Sequence, residues 1–356
     1  MNLIGTLAHP SVQVTASLPA DFLVSLIAFG SPQSADTFDV GPAWFDQIRT
    51  KASPRLLQLL DPDSEGGHGS WGCLIGLALL APAAGTVPEF ISRVDALTAD
   101  ELWLTLAGYH VPELREGAGP ENYLRAAEGD GLAQRAILLA AARFEEDVNW
   151  LPPLLARSPS DAKDLVTELL RRWHEEVFAE GQEERAAILA RDAEGKRVMA
   201  RTASPESLIE AATHGLEFRA EPWIRRLVLV PQTSMRPWNI LTAYEEVGII
   251  CYPVADESLG IDKNAPPAAL LRLHKALSDD KRLRMLKLLA GGPASLQQLA
   301  DGVGLAKSSA HHHLVILRAA GLVRATIDRQ SLYSLRRDFL PEAAGLLDAF
   351  LEGSPS

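Results

Sequence analysis

The sequence predicts a mainly α protein with small β elements: a helical N-terminal domain carrying a small antiparallel sheet, then a C-terminal winged helix-turn-helix domain. Three observations predict it. From Trp44 to His214 apolar residues recur at helical spacing. Only a few short runs rich in branched residues read as strands. After residue 268 the chain reads helix, glycine turn, helix, then two short strands. The 356 residues suit two or three domains at about 150 residues each. A composition of 47% hydrophobic and 22% charged residues is that of a globular chain, not of a disordered segment, a collagen-like fibre or a disulfide-stapled miniprotein.

In chain order, Ser11–Ala16 alternates apolar and polar residues, a short strand. Phe22–Phe29 is a buried helix, with Pro19 and Asp21 in its first turn and Gly30 as its stop. Further helices carry Trp44 and Ile48, then Leu56, Leu57, Leu59 and Leu60. The apolar run Leu74–Gly85 is too short for a membrane span and contains Pro82. The clearest amphipathic helix spans Asp161–Glu180. Leu165, Val166, Leu169, Leu170, Trp173, Val177 and Phe178 lie on one face and Glu168, Arg171, Arg172 and Glu175 on the other. Ser160-Asp161 supplies its cap and Gly181 its end. Turns at Ser64–Gly69 and Gly117–Pro120 separate helices. Ile224–Pro231 and Val247–Pro253 read as two more strands, expected to pair with residues 11–16 in the antiparallel sheet.

The linker is Ala255–Pro267, with Gly260, Asn264, Pro266 and Pro267, and its core sets the boundaries: domain 1–258, linker 259–267, domain 268–356. Charge divides along the same line. The whole chain has a formal charge of −12, but residues 262–356 hold 13 Lys/Arg against 9 Asp/Glu, a local +4 that leaves −16 for the rest. A basic end on an acidic body points to a polyanionic partner for that end alone. Two cysteines, Cys73 and Cys251, suit a reducing cytoplasm, and the first residues lack the basic and apolar regions of a signal peptide. A cytoplasmic protein with no membrane segment is therefore expected.

In the C-terminal part, Leu270–Leu277 forms a helix and Ser278 is placed to cap the next, Asp279–Leu289, whose stripe is Leu283, Leu286 and Leu289/Ala290. Gly291-Gly292-Pro293 stops it, and Ser295 caps a third helix, Leu296–Asp301. Gly302-Val303-Gly304 makes the turn into a fourth helix from Lys307 to Ala320, ended by Gly321. Leu322–Ile327 and Leu332–Leu335 are the strands of a wing with Asp328-Arg329-Gln330-Ser331 at its tip, and Leu340–Leu351 is a last helix.

Ala276–Leu286, together with Leu299-Ala300, Leu305–Leu314 and Leu317–Val323, resembles the ArsR-type (arsenic-repressor-like) winged helix-turn-helix regulators. The resemblance covers about residues 268–340 and rests on the joint spacing of its pieces. It implies a homodimeric transcription regulator, most often a repressor, that binds double-stranded DNA. The acidic body is similar to the N-terminal extension of a subgroup of these regulators, and implies no particular ligand.

A recognition helix presents its N-terminal side chains to base edges in the major groove. Here these are Lys307, Ser308, Ser309, His311 and His312. Lysine and serine donate to purine N7 and O6 or to phosphate, and histidine donates or accepts. Arg318 and the wing residues Arg324, Arg329 and Gln330 suit phosphate or minor-groove contact. His313 falls on the core side and reads as structural. Two features depart from the family pattern. Ala306 stands where a polar cap is usual, and the third helix lacks the cysteine pair of the family's metal sensors. No cysteine follows Cys251, which excludes thiolate metal sensing in that helix. His311-His312-His313 project about 100° apart and do not share one metal. No cofactor and no metal site is expected.

Leu270–Leu277 and Leu340–Leu351 are the expected dimer seam. Seven tryptophans (44, 71, 103, 150, 173, 223 and 238) read singly as core residues, but could together line a pocket for an unknown small-molecule effector. The rival reading is an enzyme domain fused to a DNA-binding tail. Its candidates are the Gly66–Cys73 loop with a Cys73/His68 pair, Ser278-x-x-Lys281, and His110, His174 and His214. The loop lacks the Gly-Lys-Ser/Thr of a phosphate-binding loop, and His174-Glu175-Glu176 lacks a zinc peptidase's second histidine. A third reading makes the acidic body a mimic of DNA charge that shields its own basic domain.

Overall fold

A computed structural model of the chain describes residues 10–31, 35, 37–60, 71–80, 85–143, 150–214, 216, 222–260, 265–326 and 332–352. The glycine turn at 64–69, His68 and the wing tip 328–331, with Arg329 and Gln330, lie outside them. Two compact units result, residues 1–212 with 218–254 and residues 213–217 with 255–356. Segment 213–217 groups with the C-terminal unit, where the Arg336 guanidinium donates to the His214 carbonyl at 2.7 Å.

The first unit begins with β1 (Ser11–Val14) and α1 (Leu18–Phe29). The Ser17 hydroxyl accepts from the Ala20 N–H, so the chain enters the helix directly from the strand. Helices α2 (Gly41–Lys51), α3 (Pro54–Leu60), α4 (Trp71–Leu80), α5 (Val87–Ala96), α6 (Ala99–Leu106), α7 (Pro112–Ala118), α8 (Pro120–Ala127), α9 (Gly131–Ala141) and α10 (Leu151–Leu155) follow. Thr86 with Glu89 and Thr98 with Glu101 form capping boxes that start α5 and α6. Next come α11 (Pro159–Trp173), α12 (Gln182–Met199) and α13 (Pro205–Ala212).

The expected single helix 161–180 departs from expectation at both ends. Ser158, not Ser160, caps α11, accepting from the Asp161 N–H at 3.1 Å. After Trp173 the chain makes a π-helical turn, His174–Phe178, before Gly181 (φ +79°) ends it. The apolar face is as read: Val166, Leu169, Leu170, Trp173 and Phe178 are buried.

β2 (Arg226–Gln232), β3 (Ile240–Tyr244) and β4 (Val247–Pro253) complete a four-stranded sheet in the order β1-β2-β4-β3. The sheet is mixed, not antiparallel: β1 pairs with β2 and β2 with β4 in parallel, and only β3 runs antiparallel to β4. The missed strand is the reason. β3 takes the reversal that a direct link between β2 and β4 would have made, so β4 runs the same way as β2. β2 and β4 are buried along almost their whole length, as central strands covered on both faces are. Val228, Val230, Ile249 and Cys251 join the large core, where Trp71, Trp103 and Trp173 are fully buried; Trp44, Trp223 and Trp238 are half-buried.

In the second unit a short 3-10 turn (Asp256–Leu259) precedes α14 (Ala268–Leu277) and α15 (Asp280–Leu289). Asp279, not Ser278, caps α15, accepting from the Arg282 N–H at 3.0 Å, while the Ser278 hydroxyl turns back onto the Lys275 carbonyl. Of the expected stripe Leu289 is buried and Leu286 packs partly buried on the core, but Leu283 is exposed, and Arg282 and Met285 take the innermost positions. β5 (Ala294–Ser295), α16 (Leu296–Val303), α17 (Lys307–Ala319), β6 (Val323–Thr326), β7 (Leu332–Leu335) and α18 (Leu340–Glu352) complete the unit. Its small sheet runs β5-β7-β6, antiparallel throughout.

Candidate nucleic-acid interface

The helix-turn-helix is built on local signals. Ser295 and Gln298 cap α16 reciprocally. The helix continues through Gly302 to Val303, two residues beyond the expected end, and closes at Gly304 in the left-handed region (φ +66°). The Leu305 N–H bonds the Ala300 carbonyl at 3.0 Å, which sets the turn into α17. Two contacts hold α15 against α16. Lys281 Nζ donates to the Val303 carbonyl at 2.8 Å, and Leu288 Cδ1 lies 2.6 Å from where a Cβ on Gly302 would stand.

α17 has two sharply different sides. Ala310, Leu314 and Leu317, spaced i, i+4, i+7, are fully buried with Leu299, Ala300, Met285 and Tyr333. Lys307, Ser308, Ser309, His311 and His312 are all exposed. Ala306 makes no side-chain cap, so the helix's first N–H groups have no side-chain partner from that residue. His313 lies half-buried between the sides, with Nδ1 3.6 Å from Asp279 Oδ1. Burial pushes its pKa down, against the pull of Asp279. The reading of His313 as structural and of its two neighbours as surface residues agrees with this placement.

The expected phosphate contacts divide. Arg318 is half-buried near the end of α17. Arg324 on β6 is half-buried with Nη2 3.7 Å from Asp338 Oδ2, a carboxylate also 3.9 Å from Arg336 Nη2. Arg336 in turn bonds the Gly321 carbonyl and lies over the Phe339 ring, so this pair braces the wing. Sequence reasoning missed the bracing because Asp338 lies beyond the hairpin.

Several of the motifs weighed for catalysis have structural partners. Ser278 and Lys281 bond main-chain carbonyls of their own domain. His110 Nδ1 lies 2.8 Å from Glu245 Oε1, whose other oxygen takes Arg115 Nη1 at 2.9 Å, and the His110 ring stacks on Tyr244 at 4.5 Å. His174 Nε2 lies 3.4 Å from Gln182 Oε1. Among the described residues no group of three His, Cys, Asp or Glu side chains could hold a metal ion, and no helix is long and apolar enough to cross a membrane.

In the first unit a cleft of about 430 Å³ opens between the β3–β4 hairpin, α4 and the start of α7. Among the described residues, Trp150 and Trp223 are the two tryptophans lining it and Glu113 is the one charged residue that does. The sequence offered Trp150 and Trp223 only among seven tryptophans that could line a pocket, and it did not offer Glu113.

A helix-turn-helix with a β-hairpin after it, and an exposed polar face on the second helix, defines the class of DNA-binding transcription regulators. The chain belongs, through this unit, to the arsR family of bacterial regulatory proteins, which it matches over residues 279–325. It is 43% identical over 81 residues, 22% of this chain and 69% of the relative, to the HTH-type transcriptional regulator CmtR of Mycobacterium bovis. The same figures hold for CmtR of two strains of Mycobacterium tuberculosis. A crystal structure of NolR from Sinorhizobium fredii is 31% identical over 24% of this chain and 87% of that one, at a TM-score of 0.20.

Proposed function

We propose that this chain is a homodimeric repressor. Its C-terminal unit binds operator DNA, and its N-terminal unit gates that binding in response to a small molecule or partner. The observation that carries the DNA reading is the division of α17: Ala310, Leu314 and Leu317 in the core, and Lys307, Ser308, Ser309, His311 and His312 in solvent. In this reading those five residues meet base edges, while Arg318, Arg324, Arg329 and Gln330 meet phosphate or the minor groove. Arg324 shares its charge with Asp338 and contributes least of these.

Pairing is supported by unpartnered leucines on the two expected seam helices: Leu271 on α14, and Leu340, Leu347 and Leu351 on α18, all exposed in a single chain. Repression follows the habit of the family. The regulatory role of the N-terminal unit rests on its large separate core and its acidic charge.

Binding to the promoter region of its own gene, followed by fluorescence anisotropy across a salt series, tests the reading. Arg329→Ala should weaken binding on all sequences about equally and flatten the salt slope by about one counterion. Ser309→Ala and His312→Ala should instead change which base pairs are preferred. A fragment lacking residues 1–260 should bind without regulation. Unchanged affinity for the whole set of variants overturns the interface, and turnover of a metabolite by the chain replaces regulation with catalysis.

A further inference from the structure

We propose that the exposed face of α17 takes up protons on His311 and His312 as it binds DNA, so that acidification tightens its hold on a duplex. This uptake rests on the DNA reading above and regulates that same site.

Three observations carry it. The first is placement. His311 follows Lys307 by four residues and His312 follows Ser308 by four, so the two rings continue two adjacent rows of the exposed face. Both side chains are exposed, and neither forms a hydrogen bond or ion pair with another described residue. His312 makes only an edge contact with the His313 ring, at 6.3 Å between centroids.

The second is charge. α17 contains no carboxylate, and its other ionisable groups are Lys307, His313 and Arg318. The elements packed most closely on it are α14, α15, α16 and β6. The carboxylates there, with the cap of α15, are Asp279, Asp280 and Asp301, and each is engaged. Asp279 accepts from the Arg282 N–H and lies 3.6 Å from His313 Nδ1. Asp280 pairs with Arg284 Nε at 3.0 Å, and Asp301 accepts from the Gln297 amide at 2.9 Å. The cations there are Arg272, His274 and Lys275 on α14, Lys281, Arg282, Arg284 and Lys287 on α15, and Arg324 on β6. Among the described residues, then, no carboxylate is bonded to His311 or His312.

The third is the chemistry of the partner. Phosphate oxygens and purine N7 and O6 are acceptors. A neutral imidazole donates from one nitrogen, an imidazolium from both. A duplex thus brings to these rings the negative charge and the acceptors that the free chain does not, and the complex favours the protonated form. Histidine is the side chain whose charge changes between about pH 5 and 8. Each proton bound only in the complex raises affinity by about tenfold per unit of acidification.

The test uses the full chain and two duplexes of equal length, one from the promoter region of its own gene and one unrelated. Fluorescence anisotropy follows binding from about pH 7.5 to about pH 6.0 at fixed ionic strength. Affinity for both duplexes should rise by at least about fivefold; one proton taken up throughout would give about thirtyfold. Calorimetry in two buffers of different ionisation enthalpy should show protons entering the complex. A double variant, His311→Gln with His312→Gln, keeps polar side chains at exposed positions. It should melt as the native chain does and lose most of the rise and of the uptake, whereas His274→Gln and His313→Gln should keep both. A flat profile in the native chain, or a rise that survives the double variant, overturns the proton linkage and leaves the DNA reading intact. No binding of either duplex at any pH overturns the DNA reading and the linkage with it.

Discussion

Arg282 shows how far a single side chain can depart from its sequence pattern. It is 8% exposed, and its guanidinium donates from Nε to the Ala276 carbonyl and from Nη2 to the Lys275 carbonyl, both at 2.7 Å. These are last-turn carbonyls of α14 that no helical N–H reaches, and a cation at a helix C-terminus is favoured by the dipole. Arg282→Met keeps the stem but leaves the Ala276 carbonyl bare and the Lys275 carbonyl with only the Ser278 hydroxyl, and should cost the C-terminal unit about 2–4 kcal/mol in urea unfolding. Arg282→Lys should recover only part, because one ammonium does not fork between two acceptors. His313 makes a pH prediction. Its pKa is lowered in the folded chain, mainly by burial, so below about pH 6.5 the unfolded chain binds the extra proton. Stability is then complete above that value and falls as pH drops through it. Melting of the C-terminal unit between about pH 7.5 and pH 5.5 should show this fall, and His313→Gln should flatten it. Asp279 does not confound the comparison: held below the ordinary carboxylate range chiefly by the Arg282 N–H, it loses its contribution only at much lower pH.

At the scale of elements, α4 and β3 approach each other closely in the N-terminal unit. A Cβ on Gly76 would lie 2.3 Å from Tyr244 Cβ, and Tyr244 is itself pinned by the stacked His110 ring. Gly76→Ala should therefore lower stability by about 1–3 kcal/mol through overpacking. Gly195→Ala, in the exposed middle of α12 where a Cβ meets nothing, should raise it by about 0.5–1 kcal/mol. Thermal melting of the two variants should move in opposite directions. The same contrast separates what was legible in the sequence from what was not. Helix ends were legible to within a few residues where local chemistry sets them, as at Gly30, Ser295 and Gly181. So was the outward face of α17, because Ala310, Leu314 and Leu317 mark its core side at helical spacing. Sheet direction was not, since β1 and β2 pair across a separation of 215 residues, for which no local signal exists. The start of the α15 stripe was misread at Leu283 because a buried arginine beside it looks polar in sequence while its bonds to carbonyls place it inside. The cleft was invisible for the reason β3 was: Ile240–Tyr244 is short and contains Thr242 and Ala243, and its role is set by its neighbours.

At the scale of the whole molecule, the chain holds two hydrophobic cores with no member in common. One is built around Trp71, Trp103 and Trp173, the other around Leu299, Leu314 and Leu317. Cooperative unfolding requires that apolar contacts be lost together, so separate cores should melt as separate events. Differential scanning calorimetry of the full chain should resolve two transitions, and Arg282→Met should move only the C-terminal one. Adding a duplex that carries the operator then identifies that transition independently, since a ligand stabilises the unit that binds it by mass action. At about 100 times Kd the gain is about 2.7 kcal/mol, a rise of roughly 10–20 °C for a domain of this size. Because phosphate contacts release counterions, the rise should shrink steadily as salt goes from about 50 to 200 mM. The melting of the N-terminal unit should not respond directly to DNA. A single transition that the duplex raises as a whole would mean that the acidic unit and the winged unit fold as one, and that gating acts through a shared core instead of between two.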